Sequence, residues 1–293
     1  MDRNPLFSII IPTYNRAAFI ESTIRKLQNQ KFTDFEIVIV DDGSVDGTKS
    51  IVEKIEDSRI VYTYIKNGER GAARNKGVSI SRGDYVTFLD SDDELLPHFL
   101  QTAYDFISEN EEIPIFHIAY EVRDSNGKVL SKVILPRTVN HLLVEGNPLS
   151  CIGILLRRDV AVDNPFSEQR QLAGSEDWVL WLKLASRFAF PHIPTISAYL
   201  IQHDERSVMR TDVATLEKRI QLAGELVMKD GFVTQKFSGK EGVIWAHLYL
   251  YVALHGVLAG SRKTGLRYVL KATQKHWPSL FTTKVLVIFA KLF

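Results

Sequence analysis

The amino-acid sequence predicts an α/β fold in which a mostly parallel sheet is covered by helices. Over the first 120 residues, short runs rich in Val, Ile, Phe and Tyr alternate with stretches whose apolar residues recur at helical spacing. The chain has 293 residues, of which 45% are hydrophobic and 24% are charged, so it is long enough to bury a core. These features are typical of a globular protein with one large domain or two small ones.

Four strands are predicted in this first part, because each run is short and ends at polar residues or glycine. They cover residues 8–11, 35–40, 60–65 and 85–89, and the helices between them cover residues 17–28, 48–55 and 72–80. Further along, residues 113–120 and 129–134 are predicted to pair as a hairpin, because Asn126 and Gly127 lie at the turn between them. A strand at residues 152–157 and an amphipathic helix at residues 174–185 follow.

Polar residues follow three of these strands at the point where each strand ends. The segments are Pro-Thr-Tyr-Asn at residues 12–15, Asp-Asp-Gly-Ser at 41–44 and Asp-Ser-Asp-Asp at 90–93. In open α/β sheets, ligands bind beyond the carboxyl ends of the strands, where such loops converge. The sequence therefore predicts a binding site at this edge of the sheet.

Asp90 and Asp92 are separated by a single residue. If the backbone stays extended there, both carboxylates point to the same side and can share a hard cation such as Mg2+ or Mn2+. The alternative is that Ser91, Asp92 and Asp93 cap a helix that begins near Glu94, and capping is the interpretation we prefer for Asp93.

Four motifs, in order along the chain, carry a family resemblance. They are Ser-Ile-Ile-Ile-Pro-Thr-Tyr-Asn-Arg at residues 8–16, Ile-Val-Ile-Val-Asp-Asp-Gly-Ser at 37–44, Gly-Ala-Ala-Arg-Asn-Lys-Gly at 71–77 and Tyr-Val-Thr-Phe-Leu-Asp-Ser-Asp-Asp at 85–93. Over residues 6–207 the chain resembles the large family 2 of inverting GT-A glycosyltransferases, which act on bacterial cell-surface polysaccharides. The resemblance implies a GT-A sheet, a nucleotide-sugar donor and a divalent cation, Mn2+ or Mg2+.

The resemblance assigns nucleotide binding to the strand-end loops. Asp41 and Asp42 are expected to accept hydrogen bonds from a pyrimidine ring or the ribose, although the same residues are also ordinary turn formers. We expect Tyr14 to pack on the base and Arg74 to reach the diphosphate. The alternatives are loop packing for the tyrosine and a solvated helix position for the arginine. The remaining predicted nucleotide-binding residues are Pro12, Thr13, Asp90 and Ser91.

Asp177 follows Glu176 at the start of the predicted helix at residues 174–185. A sugar hydroxyl is a poor nucleophile, so its attack needs a carboxylate that takes the proton. In the similar family the Asp of such a Glu-Asp pair is the general base, and the resemblance assigns this role to Asp177. The alternative is that both acids lie there only because the helix macrodipole favours them.

His203 matches a place where the family often has a histidine near the metal or the diphosphate. A neutral imidazole is a suitable manganese ligand, so His203 is predicted to join Asp90 and Asp92. The chain departs from the family pattern here, because Ile201 stands where an arginine is common and Asp204-Glu205 replace a small turn. A surface histidine is the alternative.

The motifs together predict an inverting, metal-dependent glycosyltransferase that moves a sugar from a UDP-sugar to a hydroxyl of a glycan or a lipid-linked saccharide. Its catalytic domain is predicted over residues 1–208, with a nucleotide-binding half at 1–110 and an acceptor-binding half at 111–208. A nicotinamide-dependent oxidoreductase is disfavoured, because no G-x-G-x-x-G follows the first strand. The alternatives are a sugar-nucleotide-forming nucleotidyltransferase, which would need a glycine-rich phosphate loop, and a non-catalytic nucleotide-sugar-binding protein.

A C-terminal helical region is predicted over residues 209–293, and its charge differs from that of the rest. The chain has 36 basic and 35 acidic residues, yet seven of the basic and none of the acidic residues follow Glu241. Residues 242–260 lack Asp, Glu, Lys and Arg, but a stripe of His247, Tyr251 and His255 favours a packed amphipathic helix over a membrane span.

Beyond that helix, basic residues recur at helical spacing beside apolar ones and are followed by two aromatic residues. The residues of this pattern are Lys263, Arg267, Lys271, Lys275, Trp277 and Phe281. The pattern predicts binding to an anionic membrane surface, although the apolar face can instead cover the catalytic domain. Nucleic acid is not an expected partner, because no recognised binding motif occurs. The single cysteine and the lack of a signal-like N-terminus predict a cytoplasmic location, peripheral on the inner face of the cell membrane.

Overall fold

The computed structural model describes residues 4–110, 112–202 and 212–292 of the chain. Within these residues, nine strands belong to one sheet. The strands are β1 (Phe7–Thr13), β2 (Phe35–Asp41), β3 (Ile60–Tyr64), β4 (Tyr85–Phe88), β5 (Glu94–Leu95), β6 (Ile115–Asp124), β7 (Val129–Val133), β8 (Ile154–Arg157) and β9 (His192–Gln202). The α-helices are α1 (Ile20–Gln28), α2 (Thr48–Val52), α3 (Glu69–Ile80), α4 (Phe99–Glu109), α5 (Arg158–Asp163), α6 (Glu176–Arg187), α7 (Val213–Met228), α8 (Gly231–Lys236), α9 (Glu241–Leu258), α10 (Arg262–Lys275) and α11 (Thr283–Leu292).

The first half of the sheet is parallel. Its strand order is β3, β2, β1, β4, and each neighbouring pair runs in the same direction. β1 and β2 are almost entirely buried apolar runs, as expected for parallel strands that are covered on both faces. Thr13 lies opposite Asp41 in this register, so the polar segments after β1 and β2 begin side by side. The predicted parallel sheet is confirmed in this half.

The second half of the sheet is mixed. β8 runs antiparallel to β4 and connects the sheet to β6, which pairs in parallel with β9. β6 and β7 form the predicted hairpin, and Gly127 at its turn has φ +82°, which favours glycine. The fold is therefore the predicted α/β fold, with helices flanking a sheet that is parallel in its first half and mixed in its second.

Helix α3 lies unusually close to β1. A Cβ atom added to Gly77 would lie 2.3 Å from Ile10 Cγ2, so only glycine allows this approach. Close packing of α3 matters for the site, because this helix carries Arg74 and begins beside the loop that follows β3. The glycine that closes the motif at residues 71–77 therefore sets the distance between a helix and the central strands.

The predicted helix near Glu94 does not exist. Glu94 belongs to β5, which pairs antiparallel with β9. Pro97 follows, and a residue before proline is kept out of the helical conformation, so α4 begins only at Phe99. The cap prediction for Asp93 is therefore wrong, because a strand pairing with a distant part of the chain overrides the local signal.

The described chain divides into two compact units. The sheet unit comprises residues 4–139, 149–170 and 188–202, and it holds all nine strands and helices α1 to α5. The helical unit comprises residues 140–148, 171–187 and 212–292, and it holds α6 to α11. Asp177 thus belongs to the helical unit, whereas the three strand-end loops belong to the sheet unit.

Helix α9 is the central helix of the helical unit and packs against α7, α10 and α11. With 18 residues and a mean hydropathy of 1.2 it is long and apolar enough to cross a membrane, but 56% of that span is buried. Core helices of soluble proteins pass the same test. His247, one residue of the predicted polar stripe, is buried, and burial together with the charge of Lys284 lowers its pKa to about 4.

Candidate active site

Hydrogen bonds tie the loop after β2 to the loop after β1 in the sheet unit. The N–H of Asp42 donates to the carbonyl oxygen of Thr13 at 2.8 Å. Asn15 adds two further bonds, because its side-chain oxygen accepts from the N–H of Val45 at 2.9 Å and its own N–H donates to Ser44 Oγ at 2.8 Å. The structure therefore holds two of the predicted polar loops together at the carboxyl edge of the sheet.

Asp41 is buried and bonds within its own loop. Its carboxylate accepts from the N–H of Ser44 at 2.7 Å and from the hydroxyl of Tyr62 at 2.7 Å. Burial and the bond to Asp41 raise the pKa of the Tyr62 hydroxyl, so that hydroxyl stays protonated and keeps donating. Asp41 therefore shapes the turn, which agrees with the turn-forming alternative and leaves its nucleotide contact a prediction.

Asp42 is also buried and faces the start of α3. Its Oδ1 accepts from the N–H of Gly68 at 2.7 Å, and its Oδ2 accepts from Asn67 Nδ2 at 3.2 Å. Burial raises the pKa of Asp42, and the bond from Gly68 opposes that effect. The N–H of Glu69 is a further donor to this carboxylate, whose two oxygens have about four lone-pair sites, so Asp42 can still accept from a ligand. Sequence reasoning missed Asn67 and Gly68, whose only signal is an Asn-Gly pair ahead of the predicted helix.

Asp90, Asp92 and Asp93 form an acidic cluster after β4, and one carboxylate oxygen of each lies within 4.8 Å of the others. The condition of an extended backbone is not met, because β4 ends at Phe88 and the N–H of Asp93 donates to the carbonyl of Asp90 at 3.0 Å. A turn, rather than an extended strand, brings these carboxylates together. The Oδ1 of Asp93 accepts from the N–H of Ile201 in β9 at 2.8 Å, so Asp93 anchors the turn.

Two arginines form ion pairs with carboxylates of the acidic cluster. Arg74 Nη2 lies 3.0 Å from Asp90 Oδ1, and Arg16 Nη2 lies 3.4 Å from Asp92 Oδ2. Arg74 is buried, with its guanidinium 5.4 Å from the ring centre of Phe166, so the solvated-arginine alternative is wrong. Sequence reasoning did not single out Arg16, because no local pattern shows which side chain reaches the loop after another strand.

The acidic cluster suits a hard divalent cation. Mg2+ and Mn2+ take oxygen ligands and are commonly held by one or two carboxylates together with substrate phosphates. Asp90 and Asp92 are partly exposed, whereas Asp93 is buried and already bonded to β9. The residues present therefore fit such an ion, with Asp90 and Asp92 as its protein ligands. His203, the predicted third ligand, lies outside the described residues.

The other residues predicted to bind the nucleotide lie at the same strand ends. Tyr14 is 50% exposed, which leaves its ring accessible to a planar ligand. Pro12 and Thr13 end β1, and the buried Thr13 Oγ1 has no hydrogen-bond partner among the residues that the structure describes. Ser91 is buried in the turn after β4, and its carbonyl oxygen accepts from Thr23 Oγ1 at 2.7 Å.

Asp177 lies in the first turn of α6, in the helical unit. Its Oδ2 accepts from Asn147 Nδ2 at 3.0 Å, and its Oδ1 accepts from the N–H of Trp178 at 2.7 Å. The buried Glu176 accepts from the N–H of Gly174 at 2.5 Å and so closes the start of the helix. The two acids therefore differ: Glu176 is buried and accepts a hydrogen bond at the start of the helix, whereas Asp177 is partly exposed. Sequence reasoning missed Asn147, which lies 30 residues before Asp177.

The profile of the family described as Glycosyl transferase family 2 matches residues 8–161. The GalNAc(5)-diNAcBac-PP-undecaprenol beta-1,3-glucosyltransferase of Campylobacter jejuni is 45% identical over 109 residues, which are 36% of this chain and 35% of that protein. Across three curated relatives, the chain spans 27%, 35% and 63% of the relative's length.

Solved structures share the fold of this chain. S. aureus TarS 1–349, in complex with UDP-GlcNAc, has a TM-score of 0.65 at 19% identity, over 93% of this chain and 92% of that one. The mannosyltransferase PcManGT from Pyrobaculum calidifontis, in complex with GDP-Man and Mn2+, has a TM-score of 0.61 at 17% identity, over 99% and 84%. At these identities the likeness shows the fold, which is the predicted GT-A type.

Proposed function

Because the chain belongs to glycosyl transferase family 2 and is therefore a glycosyltransferase, we propose that it moves a sugar from a UDP-sugar to a hydroxyl of a glycan or a lipid-linked saccharide. The observation that supports this proposal most is the acidic cluster of Asp90, Asp92 and Asp93 at the edge that also carries the buried Asp41 and Asp42. Family membership decides against the nucleotidyltransferase and non-catalytic alternatives.

The donor is proposed to bind at the carboxyl edge of the sheet unit. The half-exposed ring of Tyr14 supports stacking on the base, and the remaining lone pairs of the Asp42 carboxylate support hydrogen bonds to uracil or ribose. Asp41 is included because it lies beside Thr13 at the same edge of the sheet. Mg2+ or Mn2+ at Asp90 and Asp92 supplies positive charge that stabilises the leaving diphosphate. The full set of proposed nucleotide contacts is Pro12, Thr13, Tyr14, Asp41, Asp42, Arg74, Asp90 and Ser91.

Asp177 is proposed as the general base for the acceptor. Its carboxylate takes the proton of the acceptor hydroxyl as the hydroxyl oxygen bonds to the anomeric carbon of the donor sugar. The bond from that carbon to the diphosphate oxygen breaks in the same step, and UDP leaves. A single displacement of this kind inverts the anomeric configuration. The support for this role is a partly exposed carboxylate at a helix start, oriented by a donated hydrogen bond.

A thermal-shift screen tests the donor and the metal together. UDP-sugars with Mn2+ are expected to stabilise the protein by about 2.7 kcal/mol at a ligand concentration about 100 times Kd, which raises Tm by several degrees. The same sugars without Mn2+ are expected to give a smaller shift, and GDP- and TDP-sugars are the matched comparisons. A larger shift with GDP-sugars would contradict the choice of UDP, and no shift with any sugar nucleotide would contradict the proposed donor site.

The acceptor is proposed to meet the enzyme at an anionic membrane surface, on the inner face of the cell membrane. The C. jejuni relative is named for an undecaprenol-linked acceptor, which supports this choice. In the helical unit, α10 and the segment after it expose Leu266, Leu270, Trp277 and Phe281, with the last two 64% and 80% exposed. Large apolar side chains that are exposed in one segment mark an interaction surface. We call these four residues the apolar patch.

The charge around the apolar patch favours a membrane over a second copy of the chain. Lys263, Lys271 and Lys275 are exposed on α10, whereas Arg267 is paired with Glu217 of α7. If two copies of the chain met through the apolar patch, the exposed lysines of one copy would repel those of the other. An anionic bilayer accommodates the apolar side chains and attracts the lysines at the same time.

The double variant Trp277→Ala, Phe281→Ala is expected to bind anionic vesicles about tenfold or more weakly than the unaltered chain, because two large apolar side chains no longer enter the interface. Co-sedimentation with vesicles of phosphatidylglycerol and phosphatidylethanolamine measures this. The control variant Leu130→Ala, Ile134→Ala removes two exposed apolar side chains of the sheet unit and is expected to bind normally. Failure of the unaltered chain to bind anionic vesicles would contradict the membrane proposal.

A further inference from the structure

Two hydrogen bonds restrict the carboxylate of Asp177. The N–H of Trp178, in the same helical turn, donates to Oδ1 at 2.7 Å, and Asn147 Nδ2 donates to Oδ2 at 3.0 Å. One oxygen is therefore held by α6 itself and the other by a side chain from residues 140–148 of the same unit. A carboxylate with a donor on each oxygen has little freedom to rotate.

The backbone around Asn147 is constrained on both sides. Gly146 has φ +126°, a conformation that other residues rarely adopt, and Pro148 limits the backbone of Asn147 to extended conformations. The Cβ of any other residue at position 146 would lie 3.0 Å from Lys284 Nζ. The backbone conformation of this turn is therefore restricted, and it sets the position from which the Asn147 side chain donates to Asp177.

Two further bonds fix this turn to the helices of the same unit. Lys284 in α11 donates from Nζ to the carbonyl oxygen of Glu145 at 3.1 Å, and Trp178 in α6 donates from Nε1 to the carbonyl oxygen of Leu143 at 2.9 Å. Lys284 is partly buried, and burial lowers the pKa of its ammonium group. Hydrogen bonds therefore link α11 to the turn at residues 145–147, and that turn to the carboxylate of Asp177.

We propose that Asn147 is a positioning residue for Asp177: its amide fixes the orientation of the carboxylate and stabilises the ionised form that accepts the proton of the acceptor. The proposal rests on the proposed role of Asp177 as the general base. It also gives the C-terminal helices a part in the reaction, because α11 holds the turn that carries Asn147. A hydrogen bond donated to an ionised carboxylate favours that form, which is the state a base needs at neutral pH.

The titratable and charged groups on the elements around Asp177 bear on the pH dependence of its carboxylate. Tyr251 of α9 is partly buried, and the pKa of its hydroxyl is raised, mainly by burial. The charge of Arg219 in α7 opposes this increase, and the charge of Asp177 adds to it. Glu176 precedes Asp177, and Lys284 reaches the adjoining turn. On the side of α8, Arg187 and Asp230 form an ion pair at 2.8 Å at the other end of α6. Because Asn147 is uncharged, its replacement removes a hydrogen bond to Asp177 and changes none of these charges.

The test is a carboxyl 13C NMR titration of the full chain labelled at aspartate, with the Asp177 signal identified by its absence in Asp177→Asn. Asn147→Ala is expected to raise the apparent pKa of Asp177 by about half to one unit, because the ionised form loses one donated hydrogen bond. Asn147→Ser, which keeps a shorter donor, is expected to give a smaller increase and provides the test if the alanine variant folds poorly. The acid limb of the pH profile for donor turnover is expected to move to higher pH by the same amount.

The matched control is Asn140→Ala. Asn140 donates from its side chain to the carbonyl of Ala185 at 2.8 Å, so this variant removes a similar bond at the other end of α6 and is expected to leave the Asp177 titration unchanged. Equal titrations for Asn147→Ala, Asn140→Ala and the unaltered chain would overturn the positioning role while leaving Asp177 as the base. Full turnover in Asp177→Asn would instead overturn the proposed base, even if the titration shifted as expected.

Discussion

Asp177→Asn is expected to lower kcat for sugar transfer by about 1000-fold, because a positioned general base contributes on the order of 10²–10⁴ in rate. The amide has nearly the shape of the carboxylate, and its oxygen still accepts from the N–H of Trp178, so the start of α6 stays intact. Release of UDP from the sugar nucleotide selected by the thermal-shift screen, with membrane lipid extract as the source of acceptor, measures the loss. The thermal shift that the donor produces is expected to remain, because the donor contacts belong to the sheet unit.

Asp159→Asn is the matched control for that variant. Asp159 also lies in the first turn of a helix, α5, where it pairs with Arg157 on the surface and accepts from the N–H of Val160. Its replacement removes the same charge from the same kind of position, so a loss caused only by helix electrostatics would appear in both variants. Comparable rates for Asp177→Asn and Asp159→Asn would show that Asp177 is not the base.

Asp92→Asn is expected to reduce turnover at least about 100-fold and to remove most of the stabilisation that Mn2+ adds to donor binding. The reason is that Asp90 and Asp92 are the two proposed protein ligands in the acidic cluster, and the variant loses one of them. Calorimetry of the selected UDP-sugar with and without Mn2+ measures binding. Treatment of the unaltered chain with EDTA is expected to give the same loss, reversed by added Mn2+ or Mg2+.

Glu94→Gln provides the control for the metal variant. Glu94 lies two residues after Asp92 and forms a surface ion pair with Lys26 at 2.6 Å. Its replacement therefore removes a negative charge near the acidic cluster but leaves both proposed metal ligands in place. Surface pairs contribute about 1 kcal/mol or less, and the control is expected to keep its turnover and its response to Mn2+. Metal-independent donor binding in the unaltered chain, or an equal loss in both variants, would argue against a metal held by Asp90 and Asp92.

Local patterns predicted most of the strands but not the contacts of the side chains at their ends. Asp42 was singled out from its place after a strand, whereas Asn67 and Gly68, which bond to it, come from a different loop. In the same way, Arg16 and Asn147 reach Asp92 and Asp177 from distant segments. Such contacts depend on strand order and helix packing, which short-range periodicity does not encode.

The sequence by itself determined the family, the α/β fold and the order of the polar loops, because apolar periodicity and strand-end residues are local properties of the chain. Only the tertiary structure decided that a turn after β4, rather than an extended strand, gathers Asp90 and Asp92. It likewise decided that Asp93 bonds to β9 and that His247 is buried. The physical reason is that strand pairing and burial bring together groups far apart in the chain, and their free energies outweigh local preferences for caps and amphipathic helices.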